Sequence, residues 1–312
     1  FNIVPKTGGN SFSGTFFSSL AGSWSQGNNV DETLKSYGIP EPTKIIKNWD
    51  TSFSIGGPIL RDRVWFYAVA RTFGEYTDIA GRFGNLNARN PSRWVYVVDQ
   101  SIKSRTAGSR KIGGTRVTGQ LSERNKVSAY YDYQFTCSSS SYAKDADACR
   151  VRGDDWIGVY GFGTWSPEAS QKADGPEHIM QFSYTAPMTS KLLLEAAFSQ
   201  FFSNWSPTAP AGALDYAPFI PVQERSLAGG VPVPNMVYHG YAGLNNNHQT
   251  HNTWRGSLAY VTGAHSMKVG YQAAYEVTDI FGDFATHGLQ YRFNAGVPDQ
   301  ITQRITKWQQ AN

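Results

Sequence analysis

The sequence predicts an all-β protein, part of a transmembrane, antiparallel, up-and-down β-barrel. Three observations predict it. Apolar and polar residues alternate with period two along most of the chain, the pattern of strands with one apolar face. The alternating stretches run roughly 9–13 residues, longer than the ~5–6 of a common soluble strand and matched to the ~9–11 that cross a bilayer as a tilted strand. The connections alternate between short and long, the asymmetry of a barrel with short turns on one side of a membrane and long loops on the other.

Composition agrees. Of 312 residues, 17% are charged and 14% aromatic, with 18 Phe, 17 Tyr, 9 Trp and 31 Gly. Soluble domains carry roughly 25% charge. Mean hydropathy is −0.41, and the longest strong apolar run, Val64 to Ala70, is far short of the ~20 residues of a spanning helix. A helix-bundle membrane protein, a disordered chain and a disulfide-dense mini-domain are excluded. The net charge of +4 is spread without a basic block, so nucleic acid is not an expected partner.

In chain order, short turns fall at 56–63, 122–126, 186–191 and 262–266, and long connections at about 25–48, 76–111, 136–176, 206–251 and from 282 onward. These intervals leave nine strands, with a possible tenth near Gln290–Phe293. Thr51, Phe53 and Ile55 share one face of their strand, and Asp50, Ser52 and Ser54 the other. Val127, Ala129, Tyr131, Tyr133 and Phe135 oppose Ser128, Tyr130, Asp132 and Gln134. Leu192, Leu194, Ala196 and Phe198 oppose Leu193, Glu195, Ala197 and Ser199. Met267, Val269, Tyr271, Ala273, Tyr275 and Val277 oppose Lys268, Gly270, Gln272, Ala274, Glu276 and Thr278. The apolar faces are expected to meet lipid, where a charge would cost a few kcal/mol. Arg116, Asp132, Gln134, Glu195, Lys268, Gln272 and Glu276 are expected to line a lumen. Trp24, Trp49, Trp65, Phe66, Tyr67, Phe135, Phe201, Phe202, Trp205, Trp254 and Phe281 sit near strand ends, where barrels carry aromatic girdles.

Two segments are more specific. The first runs Phe1-Asn2-Ile3-Val4-Pro5-Lys6-Thr7-Gly8-Gly9-Asn10-Ser11-Phe12-Ser13-Gly14. The second is Ser54-Ile55-Gly56-Gly57-Pro58-Ile59-Leu60-Arg61-Asp62-Arg63-Val64-Trp65-Phe66-Tyr67. Pro58 donates no ladder hydrogen bond and ends a strand, Arg61-Asp62-Arg63 puts charge at a turn, and Val64-Trp65-Phe66-Tyr67 opens the next strand with interfacial aromatics. The first segment resembles the junction of plug and barrel in TonB-dependent outer-membrane receptors, through Asn2, Ile3, Val4, Lys6 and Gly8. The second resembles a hairpin of the Oar-like branch of that family, whose N-terminal extension is carboxypeptidase-regulatory-like, through Gly56, Gly57, Pro58, Asp62 and Phe66. Pro5 departs from the family pattern, where Thr is commoner.

The resemblance implies residues 1–10 as the end of a plug domain and 11–312 as the N-terminal portion of a barrel of ~22 strands. The chain is therefore expected to be a piece of a longer protein. The resemblance also implies residence in the bacterial outer membrane and energised uptake of a bulky nutrient, an oligosaccharide, peptide or chelate. The TonB-ExbB-ExbD complex would act through the plug, outer-membrane lipid would surround the wall, and the extracellular nutrient ligand would bind the loops. A passive porin or surface adhesin barrel is one alternative. A secreted β-rich carbohydrate-active enzyme is another, but it needs a pair of carboxylates across a cleft, and none stands out.

No catalytic constellation, cofactor site or metal site is expected. His248 and His251 lie in a polar loop without a further ligand. Asp145, Asp147, Asp154 and Asp155 lack the spacing of a Ca²⁺ loop. Gly158 to Gly163 is glycine-rich but opens no helix. Cys137 and Cys149, in a Ser-, Asp- and Ala-rich stretch, read as a local disulfide. The candidate ligand contacts are aromatics in long loops, Trp94, Tyr96, Trp156, Tyr160, Phe162, Trp165, Tyr216, Phe219, Tyr238 and Tyr241. Such rings stack on sugars or pack on peptides, or else pack the loops against one another.

Overall fold

The computed structural model describes residues 6–36, 42–88, 90–141, 157–158, 165–169, 172–208, 219–240, 244–283, 288–303 and 309–311. Its strands are β1 (Ser13–Ala21), β2 (Ile45–Leu60), β3 (Val64–Asn85), β4 (Val98–Ser122), β5 (Asn125–Ser141), β6 (Ile157–Gly158), β7 (Lys172–Pro187), β8 (Leu192–Thr208), β9 (Val222–Glu224), β10 (Met236–Tyr238), β11 (Leu244–Thr262), β12 (His265–Asp283), β13 (Leu289–Asn294), β14 (Val297–Gln303) and β15 (Gln309–Ala311). No helix among the described residues is long and apolar enough to cross a membrane.

The wall is one antiparallel sheet in the order β1-β2-β3-β4-β5-β7-β8-β11-β12-β15, with β6 on the end of β5. The nine strands expected from alternation are its nine long members. Apart from β1, each of these nine has 16 to 25 residues, well beyond the expected length. The expected loop at 76–111 is accordingly mostly ladder, because β3 continues to Asn85 and β4 resumes at Val98. Outside hydrocarbon a strand no longer needs an apolar face, so the alternation fades while the hydrogen bonds persist. The expected tenth wall strand, Gln290–Phe293, lies instead in β13 of a separate sheet ordered β10-β9-β13-β14. Its apolar residues pack into that sheet's own core, and the tenth place in the wall goes to β15, paired with Asp279–Phe281 of β12.

The strands are tilted. The row of paired residues that begins at Val64, first in β3, passes through Gly119, Val127, Tyr184, Ala196 and Gly256 and meets β12 at Tyr271, its seventh residue. This stagger of about one residue per strand is what a barrel wall requires. The sheet is open, with β1 at one edge and β12 with the short β15 at the other.

The two faces are inverted relative to a soluble protein. Tyr131 and Tyr133 are 50% and 46% exposed, whereas Asp132 between them is 4% exposed. Val117 is 38% exposed and Thr118 3%. Phe53 is 49% exposed and its neighbour Ser54 7%. The apolar face is thus convex and open, and the polar face is concave. Alternation splits the expected girdle. Trp49, Phe66, Phe135, Phe202 and Trp254 take the convex face, while Trp65, Tyr67, Phe201 and Trp205 take the concave one.

The two sequence segments meet in space. Asn10 Nδ2 donates to Asp62 Oδ1 (2.5 Å), and Asn10 Oδ1 accepts from Asp62 N (3.0 Å) and Trp65 Nε1 (2.7 Å). Asp62 has φ 61° in the turn between β2 and β3, a left-handed position that Asp tolerates better than most residues. Gly8 lies against the backbone carbonyls of Phe66 and Gly57, where any side chain would overlap. Phe12 covers Gly57 and meets Phe66 edge-on at 6.3 Å. Asn2, Ile3 and Val4 lie outside the described residues.

Candidate functional site: a polar hollow in the wall and a lobe of joined loops

The concave face carries a series of polar pairs and small clusters. Arg71 donates to both carboxylate oxygens of Asp50 (2.9 and 2.7 Å). Arg110 bonds Thr136 (2.9 Å) and pairs with Glu177 (3.3 Å). Asp132 accepts from Tyr130 (3.1 Å) and Gln134 (2.8 Å). Glu195 accepts from Lys268 (2.8 Å) and Ser257 (3.2 Å), and Glu276 pairs with His251 (3.3 Å). Thus Arg116, Asp132, Gln134, Glu195, Lys268, Gln272 and Glu276 all share this face.

Within it the register builds a hollow. One row aligns Arg116, Tyr130, Gln181, Ser199 and Thr253, and the next aligns Ser128, Ser183, Ala197, Arg255 and Gln272. The short side chains Ser183, Ala197 and Ser199 fall at the centre, and long ones surround them. The result is a cavity of about 810 Å³, within the ~300–1,000 Å³ range of ligand pockets. Arg116 donates to Ser128 Oγ (3.1 Å), which bonds Ser183 Oγ (2.8 Å). The Arg255 guanidinium has no hydrogen-bond or ion-pair partner among the described residues. Alternation predicted the polar face; the hollow depends on which short residues become neighbours, and sequence reasoning missed Arg255, Ser183 and Thr253 for that reason.

At the long-loop end, segments distant in sequence form a lobe. Tyr96, Val222, Val231, Met236, Tyr238 and Phe293 make its core, with Trp94, Val98, Val233 and Tyr291 packed against it. The rings of Tyr96 and Tyr238 meet edge-on at 5.6 Å. Tyr96 donates to Phe83 O (3.0 Å), and Tyr238 to Trp94 O (2.9 Å). Burial pushes both phenols above their usual range.

Two buried carboxylates tie the lobe together. Glu224 accepts from the backbone N–H groups of Ser226 (2.9 Å), Ala295 (3.0 Å) and Gly296 (2.8 Å). Ala295 and Gly296 form the two-residue turn from β13 to β14, both with positive φ, the geometry of tight hairpins. Glu168 Oε1 accepts from Asn85 Nδ2 (2.8 Å) and His239 N (3.1 Å), joining three connections at one atom. Burial pushes the Glu168 carboxyl up and the His239 imidazole down. Trp94 stacks on the His239 ring at 4.3 Å, and Phe219 lies 5.6 Å away.

Of the candidate ligand contacts, Tyr96 and Tyr238 are interior residues of the lobe and Trp94 is partly buried beside them. Trp165 forms an isolated bridge to Val237. Trp156, Tyr160, Phe162, Tyr216 and Tyr241 lie outside the described residues. Cys137 is disulfide-bonded; Cys149 lies outside the described residues. His248 and His251 are in strand β11 rather than a loop, and their odd spacing puts them on opposite faces. No group of three or more metal-ligating side chains occurs among the described residues.

No protein-family model and no curated protein matches the sequence. Among solved structures, the fold is similar to the outer membrane transporter YddB from Escherichia coli, with a TM-score of 0.55 and 14% identity. The match covers 97% of this chain and 36% of YddB, so the chain spans about a third of that structure's length. The likeness shows the fold, an outer-membrane-type β wall.

Proposed function

We propose that this chain is a section of the wall of a TonB-dependent outer-membrane transporter of Oar-like type that takes up a bulky nutrient. One observation carries the reading: a tilted antiparallel sheet shows an open apolar face on its convex side and polar clusters on its concave side. Such a surface suits lipid outside and water inside. The solved transporter it resembles in fold supports transport. The two meeting segments, one resembling a plug-to-barrel junction and one a family hairpin, support the branch. On this reading residues 1–10 end a plug that TonB-ExbB-ExbD would pull, and the lobe and the hollow face the nutrient.

The test is uptake by a bacterial host expressing the full-length protein, with and without a working TonB gene. Uptake that stops without TonB supports the proposal. TonB-independent uptake would favour a passive porin, and recovery of the protein in the soluble fraction would rule out a barrel.

A further inference from the structure

We propose that the hollow between β4 and β12 binds an acidic oligosaccharide, an extended sugar chain bearing repeated carboxylate groups. This rests on the reading of the chain as a transporter wall and names the substrate class. Three features of the lining carry it. Its permanently charged side chains are Arg116 and Arg255, and no carboxylate lines it. Of the carboxylates beside it, Glu276 pairs with His251 of the lining, Glu195 bonds Lys268 and also feels the charge of Arg255, and Asp132 accepts from Tyr130 and Gln134. A bound anion therefore meets two guanidinium groups in a partly enclosed site, where charge-assisted hydrogen bonds are strong.

The second feature is spacing. Arg116 and Arg255 lie in adjacent rows but four strands apart, β4 to β11. At ~4.8 Å per strand their backbones stand about 19 Å apart along the sheet. An extended molecule with repeated acid groups can meet both of them. The third is what lies between. Ser183, Ser199 and Thr253 offer hydroxyls, and Gln181 and Gln272 offer amides, all able to donate and accept. Phe201 supplies an apolar ring. A row of hydroxyls with one aromatic face complements sugar rings, while the arginines complement their carboxylates.

The experiment measures binding to outer-membrane vesicles carrying the full-length protein, and uptake by the cells they come from. The probes are trigalacturonate, neutral maltotriose, triglutamate and inorganic phosphate. Trigalacturonate is expected to bind about tenfold or more tightly than maltotriose, the weight of one charge-assisted contact. Arg255→Gln should abolish that preference, and Arg255→Lys should restore part of it. Heat-modifiable gel mobility confirms that each variant is folded. Equal binding of both sugars, no effect of Arg255→Gln, or equal binding of triglutamate or phosphate overturns the substrate class. If trigalacturonate binds in the predicted way but never enters cells, the transporter reading fails and the site stands. If maltotriose enters by a TonB-dependent route and Arg255→Gln changes nothing, the transporter reading stands and the substrate class fails.

Discussion

Glu168 and His239 sit at the joint of the lobe, and their titrations oppose one another. Burial raises the folded pKa of Glu168 above its unfolded value. The stability it provides is complete below the ordinary glutamate value of about 4.3 and is lost as pH rises through the raised one. His239 is held neutral, so its folded pKa lies below the unfolded value. Its contribution is present above about 6.5 and is lost as pH falls through the lowered one. Glu168→Gln removes the first slope and leaves the second. Hydrogen exchange at the Tyr238 and His239 amides, corrected for intrinsic rates, should then show protection that only rises with pH up to that value. Glu168→Ala leaves Asn85 Nδ2 and His239 N without their acceptor. That should cost about 1–3 kcal/mol for each orphaned donor, read as loss of the same protection. A variant as pH-dependent as the parent would show that Glu168 titrates alike in the folded and unfolded chain.

Elements were legible to different degrees. The nine wall strands could be read because a strand in hydrocarbon must alternate, and residues such as Tyr131, Asp132 and Tyr133 record that demand directly. The lobe could not. Its strands are three to seven residues long, too short to display a period, and β9 pairs with β13 across about 70 residues of chain. Tyr96 and Tyr238 therefore resembled exposed loop aromatics, and nothing near Glu168 in sequence points to His239. The wall's polarity can be checked strand by strand. On β12, Val269→Lys places a charge on the convex face and should destabilise by up to about 2–4 kcal/mol, whereas Ala274→Lys on the concave face should cost less. Urea titration of the full-length protein in lipid vesicles reads the difference; equal costs would argue against a lipid-facing convex side. At the short-turn end, Asn10→Ala removes the contacts to Asp62 and Trp65. It should cost about 1–2 kcal/mol, and protease cleavage near residue 8 should become faster.

Across the whole molecule, the open sheet is the dominant fact. The β1 edge and most of the β12 edge present unpaired backbone groups, which lipid cannot satisfy and which invite pairing with other chains in water. The 312 residues alone should not yield a monomer; light scattering in detergent is expected to show aggregates or multimers, and a cooperatively unfolding monomer would contradict the barrel. The lobe has a consequence of another kind. β4 is 25 residues long, or about 80 Å at ~3.3 Å per residue, against an apolar band only ~25 Å tall. If the protein lies in an outer membrane, the joined loops stand well clear of it as one folded surface. An antibody or a bacteriophage would then recognise a shape assembled from four separate connections. Immunisation with a peptide from any single loop should give sera that bind the denatured chain but not intact cells.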